Sequence, residues 1–304
     1  MKNIIENESV LLFKVNSSNH TIEEILTQTY DISGRLLRKL QRSKLIFLNG
    51  KKAKGNSITK DGDVISIIME DEEENNTPQN IPIDIIYEDY DLIILNKQPN
   101  IVVHPTKSHS EGTIANGVAF YFKQKNINKK VRFVNRLDMD TSGVLVIAKN
   151  SFAHQQMSIQ FENNNIEKKY YAVVEGVVKD DEGIIEEAIG KLDSEPMLRS
   201  VTKDGKGALT KYLVLDRYDD ATLLEVQIET GRTHQIRVHL KHIGHPIIGD
   251  SLYNNPSHMI NRQALHSYSL KFNQPRTGRR IEVKAEPSED IKLLISRLKY
   301  NVED

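Results

Sequence analysis

Apolar and polar residues change rhythm along the chain, and the changes divide it. Thr21-Ile-Glu-Glu24 has capping-box spacing, in which the threonine and the glutamate three residues on satisfy backbone groups at each other's position, and it opens a helix through Ile25 and Leu26. Asp31-Ile-Ser33 precedes a second helix, whose Leu36, Leu37 and Leu40 form an apolar stripe. Leu45–Leu48 predicts a strand ending in the Asn49-Gly50 turn, and Asp61-Gly-Asp63 turns the chain into a last strand, Val64–Ile68. Glu70–Glu74 then runs into Asn75, Asn76, Thr77 and Pro78, where like charges repel and nothing can fill a core. The expected division is a small first domain over 1–70, an acidic and polar linker over 71–80, and a larger domain over 81–304.

Beyond the linker short strands dominate. Ile85–Leu95 is mostly apolar around an acidic turn, Glu88–Asp91, and Gly143–Ala148 has the continuous apolar character of a buried strand. Leu224, Val226 and Ile228 alternate with Glu225, Gln227 and Glu229, the period of a half-buried strand. Helical patterns are fewer: Ser151–Phe161, Thr233–Ile243 and Ser288–Leu298. The predicted class is α+β, with a large, mostly antiparallel sheet.

Composition narrows the function. With 38% hydrophobic and 27% charged residues, the 304-residue chain can fill a core. No apolar run approaches the ~18 residues of a membrane span, and Met1–Val10 has no signal-peptide core, so a cytoplasmic protein with no membrane partner is expected. The absence of cysteine excludes disulfides, thiolate metal sites and a cysteine nucleophile. A net charge of -1 gives no global support for nucleic-acid binding. Locally the picture changes. From Ser33 to Lys60 the bases Arg35, Arg38, Lys39, Arg42, Lys44, Lys51, Lys52, Lys54 and Lys60 occur without one carboxylate. On charge alone a solvated basic face is the better account of them than an RNA grip.

Three stretches can carry chemistry. Val134-Asn-Arg-Leu-Asp-Met-Asp-Thr-Ser-Gly143 sets Asp138 and Asp140 on a turn beside Arg136, with Gly143 free to bend. Lys168–Gly176 as a strand puts Tyr170, Ala172 and Val174 on one face. In Thr230–His245, Thr233 is the expected helix cap, Ile236, Leu240 and Ile243 the buried stripe, and His234, Arg237 and Lys241 the other face. Each has an ordinary reading: a polar turn, a core aromatic, a solvated helix face. The spacing of His239, His242 and His245 invites zinc, but no carboxylate or thiol completes the set, so no metal is expected.

Two resemblances join the pieces. The order helix, Ile-Ser-x-Arg helix, Ile-x-x-Asn-Gly-Lys, Gly-Asp-x-Ile over Val10–Met69 is similar to the αL RNA-binding module named after small-subunit ribosomal protein four. Asn-Arg-Leu-Asp-x-Asp-Thr-Ser-Gly, Lys-x-Tyr-x-Ala-x-Val-x-Gly and Thr-Gly-Arg-Thr-His-Gln-Ile-Arg-x-His come in the order of RluA/RluD-type pseudouridine synthases. Tyr87-Glu-Asp with Asn96-Lys and Val102-Val-His-Pro105, Gly249-Asp-x-x-Tyr253 and Pro275-Arg-Thr-Gly278 agree as well. The family usually has histidine where this chain has Asn135.

That resemblance implies an isomerase that converts uridine in RNA to its C-glycoside isomer, with no cofactor. Asp138 matches the nucleophile, which attacks the anomeric carbon or C6 of the ring. Arg237 matches its cationic partner and Tyr170 the ring stacked on the flipped-out base, its hydroxyl available to help move the C5 proton. Arg136 matches the residue that fills the vacated space in the RNA, and Arg232 is a phosphate contact. Arg35, Arg38, Lys39 and Arg42 become RNA-binding residues of the αL module. Asp140 is expected to brace the Asp138 loop through its carboxylate. By family analogy the substrate is large-subunit ribosomal RNA rather than transfer RNA, and the protein a monomer. Two rival readings remain. A magnesium-dependent phosphatase using Asp138 and Asp140, with Gly249-Asp250 on the metal side, predicts a glycine where Thr141 stands. A non-catalytic RNA-binding protein leaves the joint presence of Asp138, Tyr170 and Arg237 without a reason.

Overall fold

The computed structural model describes residues 6–106, 109–192, 195 and 198–300. The first part of the chain holds β1 (Val10–Lys14), α1 (Ile22–Glu24) continued as a π-turn over Ile25–Thr29, α2 (Gly34–Arg42), β2 (Ile46–Leu48), β3 (Lys51–Lys52) and β4 (Val64–Ile68). Its four strands pair antiparallel in the order β1-β4-β2-β3. Both halves of the capping box form: Glu24 N–H donates to Thr21 Oγ1 at 3.1 Å, and Thr21 N–H to Glu24 Oε2 at 2.7 Å. Ser33 caps α2 through Leu36 N–H at 3.3 Å. Leu36, Leu37 and Leu40 turn inward against Leu11, Phe13, Ile46, Ile65 and Ile67, which leaves Arg35, Arg38, Lys39 and Arg42 exposed on the outer side. Strand β1 is an addition to the expected elements.

The acidic stretch has no secondary structure, yet Asp71, Glu72 and Glu74 have partners. Asp71 pairs with Lys129 at 3.4 Å, Glu72 with Arg132 and, at 3.6 Å, with Lys39, and Glu74 accepts from Val131 N–H. The repulsion of its own charges is thus answered by Lys129 and Arg132 of the larger part and Lys39 of the first. A second seam adjoins it. Phe152 lies buried in the first part's core, edge-on to Phe13 at 5.7 Å, and burial of such a ring stabilises by roughly 1.5–3 kcal/mol. Gln155 accepts from Ser33 N–H at 3.0 Å, and Arg276 donates to the carbonyls of Asn7 and Val10 at 2.9 and 3.0 Å.

The rest of the chain runs β5 (Ile85–Glu88), β6 (Leu92–Lys97), α3 (Ile114–Gln124), β7 (Arg132–Phe133), β8 (Ser142–Ala148), α4 (Ser151–Glu162), β9 (Glu167–Glu175), β10 (Glu182–Glu186), β11 (Ile189–Lys191), β12 (Arg199–Val201), β13 (Leu209–Arg217), β14 (Ala221–Ile228), α5 (Gln235–His242), β15 (Leu265–Asn273), β16 (Arg280–Lys284) and α6 (Glu289–Tyr300). Ten strands make one sheet in the order β10-β13-β14-β9-β15-β8-β6-β5, with β16 on β15 and β7 on β8, while β11 and β12 pair separately. Every pairing in it is antiparallel except β15 with β8. Strands β6 and β8 are covered on both faces. Leu92, Ile94, Val144 and Val146 pack with Ala153 and Met157 of α4, and the alternate Ile93, Leu95, Leu145 and Ile147 with Ile114, Val118 and Phe122 of α3. This two-sided burial is why Gly143–Ala148 has no polar alternation.

The one parallel pair sits mid-sheet, His266 opposite Ser142 and Ser267 opposite Gly143. At Gly143 φ is +108°, and an added Cβ would stand 2.1 Å from Ser267 O, so any side chain there would part the strands. The turn bearing Asp138 enters β8 at this junction, beside Tyr170 of β9, which is opposite Ser267 in the register.

Candidate active site

The Asp138 turn is held chiefly by its backbone. Thr141 N–H closes it onto Asp138 O at 3.2 Å. Lys97, fully buried, donates to the carbonyls of Met139, Thr141 and Gln98 at 2.8, 2.9 and 2.9 Å. Burial pulls its pKa down to about 7 against the upward pull of the Asp140 and Asp138 charges, with Arg262 adding to the depression. Arg262, buried as well, donates to Asp140 O at 2.8 Å while gripping Asp290 at 2.6 and 2.9 Å. Two buried cations on successive carbonyls leave the turn little freedom.

Asn135 leads into the turn, and its side chain acts as an extra strand rung. Its Nδ2 donates to Val144 O at 3.2 Å, and its Oδ1 accepts from Val146 N–H at 2.8 Å. An amide can do both at once because it carries a donor and an acceptor side by side.

Asp138 Oδ2 accepts from Arg237 Nη1 at 3.0 Å, and His234 Nε2 stands 3.7 Å from the same oxygen. Arg237 does not give its planar fork to Asp138. Nε and Nη2 both go to Asp250, at 2.7 Å each, and only Nη1 is left for Asp138. Asp250 is fully buried and Arg237 only 6% exposed, so the ordinary reading of a solvated face on α5 is overturned. The guanidinium also lies over the Tyr253 ring, 5.0 Å from its centre. The carboxylates answer a heavy desolvation penalty and hold the Arg237 pKa above its usual value.

Tyr170 walls the cavity in front of Asp138, with Arg136, Thr141, Arg232 and Leu265 around it. Burial pushes its phenol up to about 12, with the Asp138 charge in the same direction and a hydrogen bond to Ser267 opposing it. At neutral pH it is therefore a neutral phenol, a ring and a donor rather than a ready base. Arg136 is exposed at the rim, facing both this cavity and a second one on the far side of Asp138. Arg232 is exposed too, its Nε on Gly207 O at 3.0 Å. Arg35, Arg38, Lys39 and Arg42 belong to the other part of the molecule and line neither cavity.

Two further expectations are corrected. Thr233 does not cap α5. The Gln235 side chain folds back to accept from Arg232 N–H at 3.0 Å and Thr230 Oγ1 at 2.7 Å, and the cap position falls to His234 at φ +57°. The Asp140 carboxylate does not brace the turn: Oδ1 is buried without a hydrogen-bond partner, and the bracing runs through Asp140 O. The rival phosphatase reading gains nothing at Asp250, whose oxygens are spent on Arg237 and the nearby backbone. Nor is His239 free for zinc, since its ring nitrogens face Thr210 Oγ1 at 2.9 Å and Glu187 O at 3.1 Å. Arg262 is a site residue that motif reading misses, while Asp250, Lys97 and His234 fall within its motifs but receive there no role beside Asp138.

The family model described as RNA pseudouridylate synthase matches residues 91–242. An uncharacterised RNA pseudouridine synthase of Bacillus subtilis (strain 168), YlyB, is 41% identical over 84% of this chain and 86% of its own. The ribosomal large subunit pseudouridine synthase D of Haemophilus ducreyi is 34% identical over 92% and 91%. Among solved structures, human RNA pseudouridylate synthase domain containing 4 shares the fold at a TM-score of 0.59 and 21% identity, covering 71% of this chain and 93% of that one. The chain therefore belongs to the RNA pseudouridylate synthase family, in its RluA/RluD type, and is an isomerase that acts on RNA.

Proposed function

We propose that Asp138 is the nucleophile of uridine isomerisation, that Arg237 holds it, and that Tyr170 receives the flipped-out base. In the reaction the bond from the anomeric carbon to N1 breaks and one to C5 forms. A proton leaves C5 and N1 gains one, so nothing is oxidised and no cofactor is needed. The observation that carries this reading is the locked chain Asp250–Arg237–Asp138 at the floor of the cavity that Tyr170 walls. A carboxylate held by a fixed guanidinium is placed to act as a nucleophile, and a neutral aromatic face suits a uracil ring drawn from its stack at a cost of a few kcal/mol. Arg136, exposed at the rim, takes the space the base vacates, and Arg232 contacts phosphate.

Residues 1–70 form an RNA-binding domain of the αL type, joined through 71–80 to the catalytic domain over 81–304. The outer face of α2, with Arg35, Arg38, Lys39 and Arg42, meets the RNA backbone. The substrate is large-subunit ribosomal RNA, a reading supported by relatives named ribosomal large subunit pseudouridine synthase D at 34% identity, and the protein works as a cytoplasmic monomer. No helix among the described residues is long and apolar enough to cross a membrane.

Single-turnover isomerisation by Asp138→Asn tests the mechanism. The expected outcome is loss of product to background, with the folded state and RNA affinity preserved, because the change removes only the charge. Substantial turnover by the folded variant contradicts it. Mapping pseudouridines in cells with and without the protein tests the substrate: the lost site is expected in large-subunit ribosomal RNA, and a lost transfer RNA site would overturn that choice.

A further inference from the structure

The isomerisation set out above assigns His234 no role, yet the structure spends a good deal on it. A non-glycine residue at φ +57° carries a backbone cost, and here it aims the imidazole between two groups. Nδ1 lies 2.8 Å from Tyr253 Oη, and Nε2 lies 3.7 Å from Asp138 Oδ2. Tyr253 Oη already accepts from Arg199 N–H at 2.9 Å. With one Oη lone pair taken, donation of the phenol proton to His234 Nδ1 places the imidazole hydrogen on Nε2, on the side of Asp138. The groups facing His234 are Asp138 and Asp250, which favour a second proton, and Arg237 and Arg199, which oppose it; burial outweighs them all and lowers its pKa, so the ring is neutral at pH 7.

Both groups lie against one oxygen. Arg237 Nη1 donates to Oδ2, His234 Nε2 stands 3.7 Å from it without a hydrogen bond, and among the described residues Oδ1 accepts none. We propose that His234 is a positioning residue which, in the Nε2–H tautomer imposed by Tyr253, works with Arg237 on Oδ2 of Asp138 so that Oδ1 is the oxygen presented to the substrate. This rests on Asp138 being the nucleophile and adds to that reading which of its oxygens attacks and what fixes the rotation of the carboxylate.

The tautomer is read directly from long-range ¹H–¹⁵N spectra of the full-length protein. The expected pattern for His234 is a protonated Nε2 and an unprotonated Nδ1, with Tyr253→Phe, which keeps the ring under Arg237, shifting the balance toward Nδ1–H. A protonated Nδ1 in the wild type overturns the proposal. Kinetics supply the second arm. His234→Leu should lower the saturated single-turnover rate by about a hundredfold, the scale of a reactive group misplaced by an ångström, with RNA affinity unchanged. His234→Gln, which returns an N–H near the Nε2 position, should recover part of that loss. A His234→Leu enzyme as fast as wild type, measured beside an inactive Asp138→Asn, would defeat the role of His234 alone. An active Asp138→Asn would defeat the reading beneath it.

Discussion

Helices α2 and α5 both carry cations over two turns, and the fold treats them in opposite ways. Arg35, Arg38, Lys39 and Arg42 stand in solvent, and of these Lys39 has a carboxylate, Glu72, at 3.6 Å. Arg237 is buried, its guanidinium directed at two carboxylates and its plane laid on Tyr253. What separates them is Asp250, thirteen residues beyond Arg237, which makes burial of the charge tolerable. An exposed cation acts over about a Debye length and is screened by salt, so it suits a search for phosphate. A buried and doubly bonded one cannot move, and so suits holding a nucleophile.

The comparison breaks most severely if Asp250 is removed. Asp250→Ala leaves Arg237 buried with one partner instead of two, and loss of one side of a buried pair costs about 3–5 kcal/mol, to be read as a lower denaturant midpoint together with lost activity. An unchanged midpoint would mean that Arg237 is held by something else. Lys97 sharpens the contrast as a second kind of buried cation, one whose ammonium donates to carbonyls in place of carboxylates. Its folded pKa of about 7 lies below the ordinary 10.5, so unfolding takes up a proton between those values and stability should rise with pH across that window. Lys97→Met should flatten the rise in denaturant titrations at pH 7 and pH 9; parallel curves for the two proteins would exclude Lys97 as its source. The mildest change is Gln at Arg35, Arg38 and Arg42 together, which should weaken RNA binding and lower the salt slope by about 0.7–0.9 for each phosphate no longer neutralised. Substitution is a cleaner test than deleting residues 1–76, because deletion would strip Phe152 and Lys129 of their partners and take two carbonyls from Arg276.

Local signals explain what the sequence discloses here. The Thr21 box, the Ser33 cap and the Asn49-Gly50 turn work within a few residues, and each forms as its spacing implies. Asp138, Tyr170 and Arg237 are legible through their motifs, and the fold brings all three around one cavity. Helix α3 escapes pattern reading because it is apolar nearly all round and contains Gly117, and its capping box uses Thr113 with Asn116 in place of glutamate. Strand β1 escapes it because its five residues pair with β4 some fifty positions away. The choice of Arg237's main partner depends on α5 and the Asp250 turn meeting in space, and no periodicity encodes that. Thr233 has the right hydroxyl for a cap, but the Gln235 N–H it would take is given to Arg232 O at 3.1 Å.

The division of labour between the two helices is most directly tested by one paired measurement, in which saturated single-turnover rate and RNA dissociation constant are followed across a salt series for two variants. Arg237→Lys should lose rate well beyond what retained charge would suggest, since lysine cannot grip Asp250 and Asp138 together, while its affinity and salt slope stay those of wild type. The α2 triple variant should do the reverse, with a flatter slope and weaker binding but a rate close to wild type once RNA saturates. Rate and salt slope falling together in both variants would contradict the account.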